Sequence, residues 1–164
     1  MSWSRRAIFA ASLGALLSGC GFTAVYGPAG GGTALRGAIL ATEPDTDFAF
    51  AFVRQFEERL GLPDAPRWTL DYVFTAEEVA LAIDGSNNIT RFNLEGALRW
   101  TLSPTGSDVV LLQGTERSFT AYSASGSTIS TLASERDAER RLAVILADKV
   151  VARLLAEAPL PATP

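Results

Sequence analysis

The stretch Ile89–Leu102, ITRFNLEGALRWTL, alternates along its length. Phe92, Leu94, Leu98, Trp100 and Leu102 share one parity, and Arg91, Asn93, Glu95, Arg99 and Thr101 share the other. Successive side chains of an extended strand point to opposite faces, so this segment has one face to bury and one to leave wet. Arg67–Phe74 repeats the pattern, with Trp68, Leu70, Tyr72 and Phe74 set against Thr69, Asp71 and Thr75. A sheet with a single apolar face must be covered on that face, and antiparallel pairing is its usual form.

Two polar stretches fix how the strands pair. Asp84–Asn88 (DGSNN) and Pro104–Asp108 (PTGSD) read as five-residue hairpin loops. Centring the first on Ser86 sets Phe74 opposite Leu98, Tyr72 opposite Trp100 and Leu70 opposite Leu102. Centring the second on Gly106 sets Trp100 opposite Leu112 and Leu102 opposite Val110. That second register also faces Glu95 with Arg117 and Arg99 with Gln113. Both keep the even-numbered apolar residues together, and a slip of one residue would turn them to the wrong face.

The cover comes from two helical rows. Phe48, Phe52, Phe56 and Leu60 recur every four residues within Asp47–Leu60, with Val53 beside them, which puts the aromatics on one helix face. Such a row is core. Asp45, Thr46 and Asp47 offer caps at its start, and Gly61 and Pro63 end it. After a polar loop at Ser125–Thr131, Ser134 opens a second helix with Asp137 in a capping-box position. Its row is Leu142, Leu146, Val150 and Leu154, widened by Ile145, over roughly 35 Å. Ala34–Ala41 (ALRGAILA) reads as a short strand. The expected fold class is α+β: two helices packed on one face of a four-stranded, mostly antiparallel sheet, an αβ sandwich.

The front of the chain has a different character. Arg5 and Arg6 precede an apolar run, Ala7–Leu17, too short to cross a hydrocarbon core of about 30 Å. Leu17-Ser18-Gly19-Cys20 follows and resembles a bacterial lipobox. The reading is a lipoprotein signal peptide over residues 1–19 and a lipidated Cys20 with a flexible linker over residues 20–33. A folded domain over residues 34–158 and a tail over residues 159–164 complete the chain. Two acyl chains already give stable anchoring, so a triacylated Cys20 is a membrane anchor and not an active thiol. Loss of residues 1–19 removes Arg5 and Arg6 and moves the net charge from −4 to about −6. Gly21 after the cysteine favours the outer membrane by resemblance to the general sorting pattern. Gly27–Gly32 (GPAGGG) is a spacer by composition, since no Lys-Ser/Thr follows to make it a phosphate loop.

Composition excludes several kinds of chemistry. The chain has no histidine and one cysteine, which leaves no His-containing triad, disulfide framework or cysteine-rich metal site. An isoelectric point near 4.8 argues against a nucleic-acid partner. The adjacent carboxylates Glu57-Glu58 and Glu77-Glu78 point apart on a helix or strand. The serines of Ser123–Ser134 have no evident base, with Lys149 the single lysine. The chain is therefore expected to be no enzyme and to hold no cofactor. Asn88-Ile89-Thr90 matches a glycosylation sequon and reads as a turn into a strand.

Cys20-Gly21-Phe22 leading to Val25-Tyr26-Gly27, the order strand, helix, three long strands, helix, and the closing SERDAERRLAVILADKVVARL (Ser134–Leu154) together resemble the LptE family of lipopolysaccharide-assembly lipoproteins. The resemblance covers essentially the whole mature chain. It implies an outer-membrane lipoprotein on the periplasmic side that plugs and helps assemble the LptD barrel and aids lipopolysaccharide insertion into the outer leaflet. If the helices cover the even face of the sheet, the odd face is open and carries Arg91, Arg99 and Arg117 among Val73, Val79 and Leu81. Guanidinium groups there could pair with lipid A phosphates while apolar neighbours meet acyl chains. The alternative for each arginine is an ordinary solvated strand residue, with Arg117 paired to Glu95. Two other functions stay open at this point: an auxiliary lipoprotein of an ABC-type solute transport complex, and a periplasmic inhibitor or adhesion module.

Overall fold

A computed structural model of the protein describes residues 27, 32–83 and 89–157. The chain divides into two units, Met1–Thr33 and Ala34–Pro164. Residues 1–19, read above as a signal peptide, Cys20, the 84–88 loop and the tail over residues 159–164 lie outside the described residues. The elements run α1 (Gly32–Leu35), β1 (Ile39–Ala41), α2 (Asp47–Leu60), β2 (Trp68–Ile83), β3 (Ile89–Pro104), β4 (Leu112–Ser123) and α3 (Thr128–Glu157). The strands form one sheet in the order β1-β2-β3-β4. β1 runs parallel to β2, and the other pairs are antiparallel. The two long helices share one face of this sheet, so the fold is the expected α+β sandwich.

α2 has the bounds its phenylalanine row implies. The Thr46 hydroxyl accepts from the Ala49 N–H (3.1 Å), and Gly61 closes the helix with φ 85° and an N–H donated to the Glu57 carbonyl. Its buried face lies over β2: Phe48 stacks on Phe74 with centroids 3.5 Å apart, and Phe52 meets Tyr72 at 4.7 Å. α3 covers β3 and β4, where the Thr120 hydroxyl donates to the Ala138 carbonyl (3.0 Å). Between the helices, Asp148 accepts from Gln55 (3.0 Å) and pairs with Arg59 (3.2 Å). The core is the even-numbered set Trp68, Leu70, Leu94, Leu98, Trp100 and Leu102 beneath Phe52, Phe56, Leu142, Leu146, Val150 and Leu154, all buried.

The β2–β3 register is the one the first loop predicts, with Phe74 opposite Leu98, Tyr72 opposite Trp100 and Leu70 opposite Leu102. The β3–β4 register differs by two residues: Trp100 faces Gly114, and Leu102 faces Leu112. The cause is the indole. A Cβ on Gly114 would sit 2.8 Å from Trp100 Cζ2, so the indole packs directly against a residue without a side chain. The connection lengthens accordingly, and the Leu111 N–H closes it on the Leu102 carbonyl (2.8 Å). A shift of two preserves parity, so the apolar faces still coincide.

Two further expectations are corrected. Ala34–Ala41 is not one strand: α1 ends at Leu35, the chain turns at Gly37 (φ 64°), and only Ile39–Ala41 pairs. Short apolar runs carry no period long enough to separate helix from strand. α3 begins at Thr128 instead of Ser134 and has 30 residues, about 45 Å. Its first turns bury no apolar residue (Ile129 is 82% exposed), so hydrophobic spacing gives no sign of them. Ser127 Oγ accepts from the Ser130 N–H (3.3 Å) as the cap. Ser134 instead donates its hydroxyl back to the Ser130 carbonyl (3.0 Å), and Asp137 pairs with Arg140 and Arg141.

Candidate functional site

With both long helices on the even face, the odd face of the sheet is bare among the described residues. Its rows follow from the register. Val73, Arg99 and Thr115 lie side by side, then Thr75, Ala97 and Arg117, then Glu77, Glu95 and Phe119, then Val79, Asn93 and Ala121. Val73 is 60% exposed and Phe119 is 63% exposed, large apolar groups held in water on a rigid frame. Thr75, Glu77, Glu95, Ala97, Arg117 and Phe119 line a shallow depression of about 590 Å³. Ala97 and Gly96 form its low floor. Gly96 must be small for a reason on the other face, where a Cβ would meet Leu142 Cδ2 at 2.7 Å.

All three predicted arginines are exposed on this face, but only two belong together. Arg117 lies opposite Ala97 and is diagonal to Arg99, a spacing of roughly 7–8 Å between neighbouring strands. Arg91 faces Ser123, eight residues further along β3 from Arg99, roughly 26 Å away. The expected opposition of Arg117 and Glu95 does not occur, because the two-residue register change puts Phe119 across from Glu95. Arg91, Arg99 and Arg117 form no ion pair among the described residues. Among the described residues the face thus combines two guanidinium groups without an ion-pair partner with Val73 and Phe119, and is closed at one end by the directly opposed Glu77 and Glu95. Phe119 is missing from the sequence-based set. Its odd parity beside the buried Thr120 is the signal that could have revealed it.

The even face carries its own electrostatics beside the helices. The Tyr122 hydroxyl donates to Glu78 (2.5 Å), and burial with this acceptor raises its pKa. Glu139 on α3 is raised above the ordinary carboxylate value, first by burial, then by Glu135, Asp47 and Glu78, with Arg136 opposing. Tyr72, partly buried and near Asp45, is pushed up to about 12, first by that burial. A groove of about 510 Å³ between α2 and α3 mixes Asp47, Glu58 and Glu139 with Arg54, Arg136 and Arg140, and so favours neither sign of ligand. Among the described residues no helix is long and apolar enough to cross a membrane.

Helices on one face and, among the described residues, a bare, arginine-bearing sheet face on the other define a two-layer α/β sandwich. Residues 36–154 match the family model described as LptE, lipopolysaccharide-assembly, and the chain belongs to that family. A role in lipopolysaccharide assembly comes with the membership. The fold is similar to a Caulobacter crescentus chain described as a lipoprotein (17% identity, 77% of this chain and 93% of that one, TM-score 0.63). It is also similar to the rare lipoprotein B of Shewanella oneidensis (12% identity, 73% and 92% covered, TM-score 0.56). A minor lipoprotein of Acinetobacter baumannii matches to the same extent, at 12% identity and a TM-score of 0.54. At these identities the likeness is one of fold. No curated protein sequence matches the chain.

Proposed function

We propose that this protein is an outer-membrane lipoprotein, anchored through Cys20 with its body on the periplasmic side. In this reading it plugs and helps assemble the LptD barrel and aids lipopolysaccharide insertion into the outer leaflet. It does so by binding, not as an enzyme, and without a cofactor. The observation that carries the reading is the family match over residues 36–154. The open face supports the lipid-handling part. Arg99 and Arg117 would pair with phosphates of lipid A, bidentately where the fork allows, while Val73 and Phe119 tolerate acyl chains. Arg91 is too distant along β3 to share a phosphate with them.

Two measurements test it. Detergent pull-down of the full-length protein from its native membrane should bring down a large heat-modifiable barrel, and Cys20→Ser should leave an unprocessed precursor, whereas mature-sized, triacylated protein in that variant would sink the anchor assignment. Recovery of an inner-membrane ATPase complex instead would assign it to solute transport. Binding of purified lipopolysaccharide should weaken about tenfold or more in Arg99→Glu/Arg117→Glu, while Arg91→Glu changes it little. Folding should be unaffected, because exposed strand residues usually change stability by less than about 0.5 kcal/mol. Unchanged binding in the double variant would sink the arginine assignment.

A further inference from the structure

The sheet has two outer edges, and the fold treats them differently. Along β4, Lys149 Nζ donates to the Arg117 carbonyl (2.5 Å) and Arg141 Nη2 to the Ala121 carbonyl (3.2 Å). Cations from α3 thus occupy outward carbonyls of that edge, one way an edge strand is kept from pairing. Along β2 the cover stops early. β1 ends at Ala41 opposite Leu70, and the Thr42 N–H donates to the Leu70 carbonyl (2.9 Å). This bond fixes the parity: even-numbered residues of β2 turn their backbone groups outward, and odd-numbered ones turn theirs toward β3. Beyond Tyr72 no described residue pairs with the outer side of β2. Among the described residues, the outward N–H and C=O groups of Phe74, Ala76, Glu78 and Ala80 therefore have no partner over roughly 20 Å.

Nothing in the strand itself blunts this edge. Residues 75–81 are all exposed, and no Lys, Arg or Pro occurs between Asp71 and Ile83. The register irregularity that could twist the edge away comes only at its far end, from Ala80 onward. Glu77 and Glu95, opposed on the open face, take part in no ion pair among the described residues. Like charges directly opposite each other are destabilising, and a cation beside them would relieve it.

We infer that the outer edge of β2, from Phe74 to Ala80, is a docking strand for an extended segment of a partner protein. The segment adds to the sheet by backbone pairing and sets a Lys or Arg beside Glu77 and an apolar side chain beside Val79. A second copy of this chain fits poorly, since two β2 edges paired antiparallel about their middles would bring Glu77 and Glu78 of both copies together. A lipid has no row of amides to offer. The inference goes beyond the lipopolysaccharide role, and its test contains no lipid.

The test is backbone amide exchange of the full-length protein in detergent, with and without a synthetic peptide at millimolar concentration. The peptide is ten residues, Thr-rich, with Lys at its centre and Val two residues before it; its sequence-reversed twin serves parallel pairing. A matched pair carries Glu in place of Lys. With a Lys peptide the amides of Phe74, Ala76 and Glu78 should exchange at least tenfold more slowly, while those of Thr75 and Glu77 stay as they were. Ala76→Pro, which removes an outward donor and no ladder bond, should abolish the slowing. Glu77→Lys should transfer the response to the Glu peptides, an arm that stands even if the proline variant misfolds. The inference is overturned if neither Lys peptide slows these amides, or if Lys and Glu peptides act alike. Slowing that rises with protein concentration alone would also overturn it, by assigning the edge to a second copy.

Discussion

Trp100 and Gly114 form a single packing unit, and it sets the register of half the sheet. The indole is 1% exposed, and its N–H donates to Glu116 (3.4 Å), which also pairs with Arg153 (3.4 Å). Trp100→Ala is expected to cost about 3–5 kcal/mol, the range for removing a large buried aromatic. Gly114→Ala forces a methyl against the ring and is expected to cost about 1–3 kcal/mol. Combined, the two should cost less than their sum, because the alanine at position 114 clashes only while the indole is present. Denaturant titration of the four members of the cycle checks this, and strict additivity would mean that the register has another cause. Glu139 gives a second residue-scale expectation. Its carboxyl keeps a proton to higher pH in the folded chain than in the unfolded one. Between the ordinary and the raised value the native state binds more protons, so stability falls as pH rises through that window. Glu139→Gln should therefore raise stability at neutral pH and flatten the decline that sets in as pH rises above about 4.5, read from unfolding midpoints. A decline as steep as in the parent protein would remove Glu139 as its source.

At the scale of elements, what could be read from the sequence is what has a period. The Phe48–Leu60 row, the even-numbered face of β2 and β3 and the Leu142–Leu154 row each repeat often enough to declare their type and buried side. The elements that escaped have no repeat to show. α1 and β1 together occupy one short apolar run split by Gly37, and the first turns of α3 are polar because they bury nothing. The length of the β3–β4 connection escaped for a different reason. Turn residues locate a loop, but here a contact between strands, Trp100 on Gly114, decides how many residues it takes. The open face followed from parity alone, which places Arg91, Arg99 and Arg117 on it. Parity cannot say which of the three are neighbours; that needs the register. The bare edge of β2 lay beyond the sequence altogether, since it depends on where β1 stops.

At the scale of the whole molecule, an acidic chain with a net charge of −4 belongs to a family that works on an anionic lipid. The arrangement of charge on the open face bears on how that is possible. Arg117 lines one end of the depression with Arg99 in the next row beyond it, and Glu77 and Glu95 sit opposed at the other end. A phosphate held by the two arginines, as proposed, would lie on the order of 8 Å from those carboxylates, where each unit charge costs about 0.5 kcal/mol before screening. In the proposed lipid-handling role the carboxylates would limit how tightly the lipid is held, as passing it onward would require. Glu77→Gln/Glu95→Gln should accordingly tighten binding of purified lipopolysaccharide about two- to fivefold at low salt. The gain should shrink at physiological ionic strength, where the screening length falls to about 8 Å. Titration of the variant beside the parent protein at two salt concentrations reads both effects. If neutralising the carboxylates left the affinity unchanged at low salt, the phosphate would have to bind away from this depression, and Arg99 and Arg117 would revert to solvated strand residues.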